Sequence, residues 1–266
     1  MSHATAAAPP LDDAELASIE RATLDAVPPQ QRSEIGPWLM AIDDGTVGRA
    51  HSTSALRREI HGTDSTDGLQ AVERAYRDAG RTPMFRLPDL AGMASVRERL
   101  GLRGYRCSSP TLVQTASGAD VARAAQAALS ATRPVVDLAA QADEAWCRVF
   151  LGEGFDPVDG ASRVTILRRA RHAVFASVRI DGRTVASGMC SISHGWASVH
   201  GMRTLAPWRG QRLATAILQA MAHHALAQGH ARMFLQVEAG NEGAQALYRR
   251  LGFVDRWRYD YWTAPA

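Results

Sequence analysis

Apolar and polar positions alternate along the chain with two periods, and the switches between them outline its elements. Residues 11–27 (LDDAELASIERATLDAV) space apolar side chains three and four apart, and Pro28 and Pro29 follow, so the pattern predicts an amphipathic helix. Two strand-like runs, GPWLMAI and TVGRAHSTSAL, flank the turn DDG and predict a hairpin over 36–56. A helix is expected over 68–79 with Gly80 past its end, then a short strand over 83–87 and a helix over 90–100. RGYR and SPTLVQTA complete the first half. Residues 119–132 read as a connecting helix. The second half is expected to run through a helix over 137–151, the Gly-rich LGEGF, and strands over 171–180, 184–193 and 196–205 separated by the turns DGR and HG. A loop then enters a helix (RGQRLATAIL), followed by a buried strand (MFLQVE), another helix (NEGAQALYRR) and a last strand, where Trp257, Tyr259 and Tyr261 alternate onto one face. The expected class is α/β (α+β), a mixed, mostly antiparallel sheet flanked by helices.

The halves repeat one plan. Leu69-Gln70-Ala71 matches Leu218-Gln219-Ala220, Gly80 matches Gly229, and Met84-Phe85 matches Met233-Phe234, all at a single offset. Gly104-Tyr105 against Gly252-Phe253 follows one residue out of step. A helix, a strand and a helix at constant offset point to internal duplication. The implied organisation is a disordered N-terminus (1–10), a first domain (11–117), a connecting segment (118–134) and a second domain (135–266). The copies differ where chemistry would sit: the counterpart of Arg209 falls near Ile60-His61-Gly62, and that of Tyr248 is Arg99. The first copy therefore reads as a degenerate scaffold.

Charge and composition narrow the functional classes. A net charge of +3 over 266 residues, with no basic stripe, argues against a nucleic-acid partner. Cys107, Cys147 and Cys190 are odd in number, far apart and without His partners at ligand spacing, so no metal site is expected and reduced thiols fit a cytoplasmic protein. The first residues lack the apolar core of a signal peptide, and no apolar run reaches membrane-span length, so no membrane partner is expected. A monomer or a homodimer satisfies the sheet edges equally well.

The candidate chemistry lies between residues 209 and 253. A tight loop opening a helix presents unpaired N–H groups and the positive end of the helix dipole, which suits a phosphate, and Arg209 and Arg212 add charge. The loop, Arg209-Gly210-Gln211-Arg212-Leu213-Ala214, together with Asn241, Ala244, Leu247, Tyr248, Gly252 and Phe253 downstream, resembles the GNAT superfamily of N-acetyltransferases, whose motifs are Gln/Arg-x-x-Gly-x-Gly/Ala and N-x-x-A-x-x-L-Y-x-x-x-G-F. The two motifs in order, a helix and a strand apart, make the resemblance specific over residues 135–266; over 11–115 it rests on the repeat. The family usually has Gly where Arg212 stands.

The resemblance implies a GNAT fold in two tandem GNAT-like domains, and acetyl-CoA as co-substrate of an amine acceptor. N–H groups of Gln211, Arg212, Leu213, Ala214 and Thr215 would cradle the pyrophosphate, with Arg209 orienting the loop. The pantetheine would lie against backbone near Met202, Arg203 and Thr204 on one strand and Gln236 on the next. Asn241 would cap its helix beside the cofactor arm, with Ala244 and Leu247 along the same face, and Tyr248 would protonate the departing thiolate. By strand parity His200 shares a face with Met202 and Thr204, and stands open between general base and plain strand histidine; Glu238 is a weaker base. Tyr248 stands open between acid and core tyrosine. The competing class is a non-catalytic acyl-CoA-binding or regulatory protein. A P-loop hydrolase lacks its Lys-Ser/Thr here. No motif names the acceptor, whose pocket is expected among loops such as 151–165.

Overall fold

A computed structural model of the chain describes residues 10–129, 134–152 and 154–265. The expected disordered segment lies, apart from Pro10, outside the described residues. In the first half, Asp12 caps helix α1 (Asp13–Ala26) by accepting from the Glu15 amide. Strands β1 (Gln31–Ile35), β2 (Trp38–Ile42) and β3 (Thr53–Ala55) follow, then α2 (Asp67–Asp78), β4 (Met84–Pro88), α3 (Ala94–Leu102) and a long β5 (Arg106–Ser117). Helix α4 (Gly118–Ala128) leads to the second half: β6 (Val136–Ala139), α5 (Glu144–Arg148), α6 (Pro157–Leu167), β7 (Ala173–Ile180), β8 (Arg183–Ser193), β9 (Trp196–Thr204), α7 (Leu213–Ala227), β10 (Arg232–Glu238), α8 (Glu242–Arg250) and β11 (Val254–Thr263).

Among the described residues, eleven strands form one sheet in the order β1-β2-β3-β4-β11-β5-β10-β9-β8-β7-β6. Each half closes with the other's last strand. β5 runs antiparallel to β10, from Arg232↔Ser117 to Glu238↔Thr111, while β11 pairs with β4 (Tyr259↔Pro88) and with β5 at the centre. The duplicated residues fall in corresponding elements: Leu69 in α2 and Leu218 in α7 are both buried, and Gly80, Gly229, Gly104 and Gly252 all end helices with positive φ.

Apolar layers cover the sheet, including one in which Ala17 and Leu24 of α1 meet Leu39 and Ala41 of β2. Val121 and Ala125 of α4, Ile217 and Met221 of α7, and Tyr248 and Leu251 near the end of α8 pack on one face of the second half. α2 and α3 cover the first half around Trp38, Phe85 and Val96. α1 crosses to the junction, where Leu16, Ile19 and Ala22 meet Val113, Trp196, Phe234, Trp257 and Tyr259. Trp146, Phe150, Ile166 and Leu167 form the last layer, against Phe175 and Met189.

The expected elements need four corrections. The helix over 137–151 is replaced by β6, which pairs with β7 (Val136↔Val178), and a helix that starts only after Asp143 caps it at the Trp146 amide. Helix α6 occupies most of the supposed loop 151–165; Asp156 accepts from the amides of Val158 and Asp159, and Pro157 opens the first turn, a start signal masked by the glycines before it. β1 was unexpected because its residues are polar, as an exposed edge strand allows. β2 and β3 do pair (Trp38↔Ala55), but their connection holds a 3-10 turn, Gly48–His51, rather than a tight hairpin.

Candidate active site

The site begins where β9 and β10 part. These parallel strands pair at Ala197, Ser198 and Val199 against Met233, Phe234 and Leu235, and no pairing continues beyond Val199. There β9 carries a bulge, with Gly201 in the left-handed region (φ 60°) and a register shift opposite Ser187 and Met189. A Cβ on residue 201 would lie 3.0 Å from Leu167 and 3.2 Å from Phe150, so glycine is favoured both by the backbone conformation and by the close approach of these side chains. The parting opens into a cavity of about 560 Å³, lined from the second half by Val199 to Arg203, Leu235 to Glu238, Asn241, Ala244 and Tyr248, and from the first by the Gly48 turn and β5.

Helix α7 begins beside this parting. Its N-cap residue, Arg212, is left-handed (φ 59°, ψ 18°) and provides no side-chain cap, and no acidic residue occupies the first turn. The helices α1, α5, α6 and α8 are capped by Asp12, Asp143, Asp156 and Asn241, whereas α2, α3 and α4, like α7, have no side-chain cap; α7 differs from these in opening beside the parted strands from a left-handed residue. Gly210 is also left-handed, and a Cβ there would meet nothing. The Arg209 guanidinium donates to the Thr204 carbonyl at 3.3 Å, tying the loop to the end of β9. The Arg212 guanidinium donates to the Ala128 carbonyl at the end of α4. Leu213 and Thr215 bury their side chains, so their backbone is what they offer a ligand.

Asn241 accepts from the Ala244 amide at 3.2 Å, and both line the cavity. Leu247 packs into the α7 layer. Tyr248 lines the cavity from α8, its ring edge-on to Phe253 at 6.0 Å, and burial pushes its hydroxyl up to about 12.

The bulge overturns the parity reading of β9. His200 faces the α1 side, edge-on to Phe234, whereas Met202 turns to the α7 layer. One extra residue in the strand reverses every later side chain. His200 is buried with both ring nitrogens unpartnered, and burial, with the Arg49 charge second, holds its pKa well below the usual histidine value. The Arg203 side chain leaves the parting, with its guanidinium 4.1 Å from the Phe155 ring centre and 3.7 Å from Asp159. Gln236 donates to Thr23 at 2.8 Å and accepts from Arg86 at 3.3 Å and Tyr259 at 2.9 Å, so its amide belongs to the buried Glu20–Arg86 ion pair. Glu238 lines the cavity at the end of β10.

Three titratable residues of the cavity wall escaped the sequence reading. Arg49 and His51 lie on a turn with no periodic signal, and Arg163 lies on the unanticipated α6. Tyr259 and Tyr261, whose alternation was visible, reach the same cavity because β11 crosses to the first half. Among the described residues no cluster of three metal-ligating side chains occurs, and no helix is long and apolar enough to cross a membrane.

Residues 139–253 match the family model described as "Acetyltransferase (GNAT) family". Among solved structures, a GCN5-related N-acetyltransferase from Kribbella flavida is 20% identical, with 94% of this chain and 96% of that chain covered and a TM-score of 0.68. A functionally unknown conserved protein from Staphylococcus epidermidis is 8% identical, with coverages of 90% and 94% and a TM-score of 0.62. A tandem GNAT protein from the clavulanic acid biosynthesis pathway is 14% identical, with coverages of 97% and 98% and a TM-score of 0.59. No curated protein matches the chain.

Proposed function

Residues 139–253 form a GNAT acetyltransferase domain in a chain whose fold is shared, over nearly its whole length, with GNAT structures that include a tandem GNAT protein, and on that premise we propose that the protein is an acetyl-CoA-dependent N-acetyltransferase acting on a primary amine. The observation that carries this reading is the uncapped N-terminus of α7 beside the parting of β9 and β10, with Tyr248 on the cavity wall.

The amides of residues 211–215 hold the pyrophosphate, which takes the place of the missing cap and meets the positive end of the α7 dipole. The pantetheine arm fills the parting, its amides bonding β9 backbone near Met202 to Thr204 in the manner of a strand. A neutral amine attacks the thioester carbonyl, the C–N bond forms as the C–S bond breaks, and β9 amides stabilise the oxygen as charge develops. Tyr248 gives its proton to the leaving thiolate. With the Tyr248 pKa raised to about 12, the acid form persists through the physiological range, so no alkaline loss of activity is expected below about pH 10. The proton shed by the amine leaves through His200, neutral and unpartnered at the cavity, or through water. This reading describes a cytoplasmic enzyme, monomer or homodimer, whose partners are acetyl-CoA and the amine.

Thiol release from acetyl-CoA across a panel of amines tests the activity. Tyr248→Phe should lower kcat by about 10²-fold while leaving the KM for acetyl-CoA near wild type; wild-type turnover in this variant would remove the acid role. The rival, a non-catalytic acyl-CoA-binding protein, draws support from the first half, where Leu100, rather than the expected Arg99, holds the Tyr248 position: the Tyr105 amide bonds the Leu100 carbonyl as the Phe253 amide bonds that of Tyr248. It predicts saturable acetyl-CoA binding with no thiol release on any amine.

A further inference from the structure

The cavity carries a cation for which the protein supplies no counter-ion. Its lining holds Arg49, Arg163 and Arg203 against a single carboxylate, Glu238, among the described residues. Arg163 is bonded to Asp159 at 2.6 Å, and Arg203 lies 3.7 Å from the same residue. Arg49 has no hydrogen bond or ion pair among the described residues, and its Nε is buried without a partner. Glu20, close enough to feel the Arg49 charge, is already engaged by Arg86. Around Arg49, His200 leaves both ring nitrogens unpartnered and His51 leaves Nδ1 unpartnered, all buried. Buried polar atoms are almost always satisfied, and a half-buried guanidinium aimed at a cavity is satisfied by an anion. The pyrophosphate does not serve, because none of residues 209–215 lines this cavity.

Resting on the acyltransfer reading, we propose that the acceptor is a small amine bearing a carboxylate, of the free amino acid or short peptide class, with that carboxylate bound by Arg49. One guanidinium beside neutral imidazoles matches a monoanion better than a phosphate dianion, which recruits several cations. The same pairing fixes the amine end, because a substrate anchored through its carboxylate presents its nitrogen at a set distance from the Arg49 turn.

The test compares free amino acids with their decarboxylated amines, pair by pair. Two readouts run in parallel: kcat/KM for thiol release, and calorimetric binding to the protein with CoA present, which needs no turnover. The carboxylated member should be preferred by about 10- to 100-fold, the range for a hydrogen bond to a charged group. Arg49→Met should bring the ratio close to one, and Arg49→Lys should restore part of it, which a merely structural role would not do. Equal use of both members, a preference that survives in Arg49→Met, or a panel in which no carboxylated amine reacts or binds overturns the inference. Thiol release with only those amines that lack a carboxylate would leave the acyltransfer reading standing while this inference fails. Binding of carboxylated amines without thiol release would do the reverse.

Discussion

Arg212 shows how a single residue is shaped by its surroundings. A left-handed backbone costs an L-residue roughly 1–2 kcal/mol, which glycine avoids. Here the arginine's hydrogen bond to the Ala128 carbonyl offsets part of that cost by tying the loop to the end of α4. Replacing it separates the two terms. Both Arg212→Ala and Arg212→Gly lose the bond, but only alanine keeps the strain, so Arg212→Ala should be less stable by about 1 kcal/mol in urea unfolding. Equal stabilities would contradict the left-handed assignment. At this scale Asn241, Tyr248 and the 209–214 loop were legible in the sequence, because local spacing sets a cap and a helix face. The surroundings of Gln236 and His200 were not legible. The partners of Gln236 come from α1, β4 and β11, and the direction of His200 relative to Met202 depends on a bulge that no residue count announces.

Among the elements, α6 most changes the picture of the site. It packs so close to the 3-10 turn Val149–Leu151 that a Cβ at Gly160 would lie 2.2 Å from the Phe150 carbonyl oxygen. Because that atom is backbone, the helix itself must move. Gly160→Ala should therefore cost about 1–3 kcal/mol, read as a lowered thermal midpoint, and should weaken acceptor KM through displaced Arg163 and Ile166. A wild-type midpoint would count against this packing. α1, α7, β8 and β10 were readable because each carries its apolar residues as a face or an unbroken run within its own length, bounded by turn residues. β1 and β6 were not, since exposed edge strands carry no buried face to imprint an apolar pattern.

The whole molecule is defined by the exchange of β5 and β11. We keep the division into 11–117, 118–134 and 135–266 as a proposal about ancestry, because the folding units cross it. Val113 of β5 shares a layer with Phe234 and Trp257, so residues 135–266 alone would expose one edge of β10 and leave β11 without a partner on either side. Expressed separately, that fragment should aggregate or give a poorly dispersed amide spectrum, and co-expression with residues 1–129 should recover a dispersed one. A well-dispersed spectrum from 135–266 by itself would refute the interdependence.

Sequence alone determined the repeat, the phosphate-loop grammar and the Asn241–Tyr248 face, since each is written in the spacing of neighbouring residues. It could also register that Tyr259 and Tyr261 share a strand face. Only the tertiary structure decided which cavity that face joins, that the first half supplies Arg49 and His51 to the same cavity, and that the bulge at Gly201 sets His200 and Met202 on opposite faces. These depend on which strand lies beside which, and strand partners distant in sequence are selected by the burial of the whole sheet rather than by any local pattern.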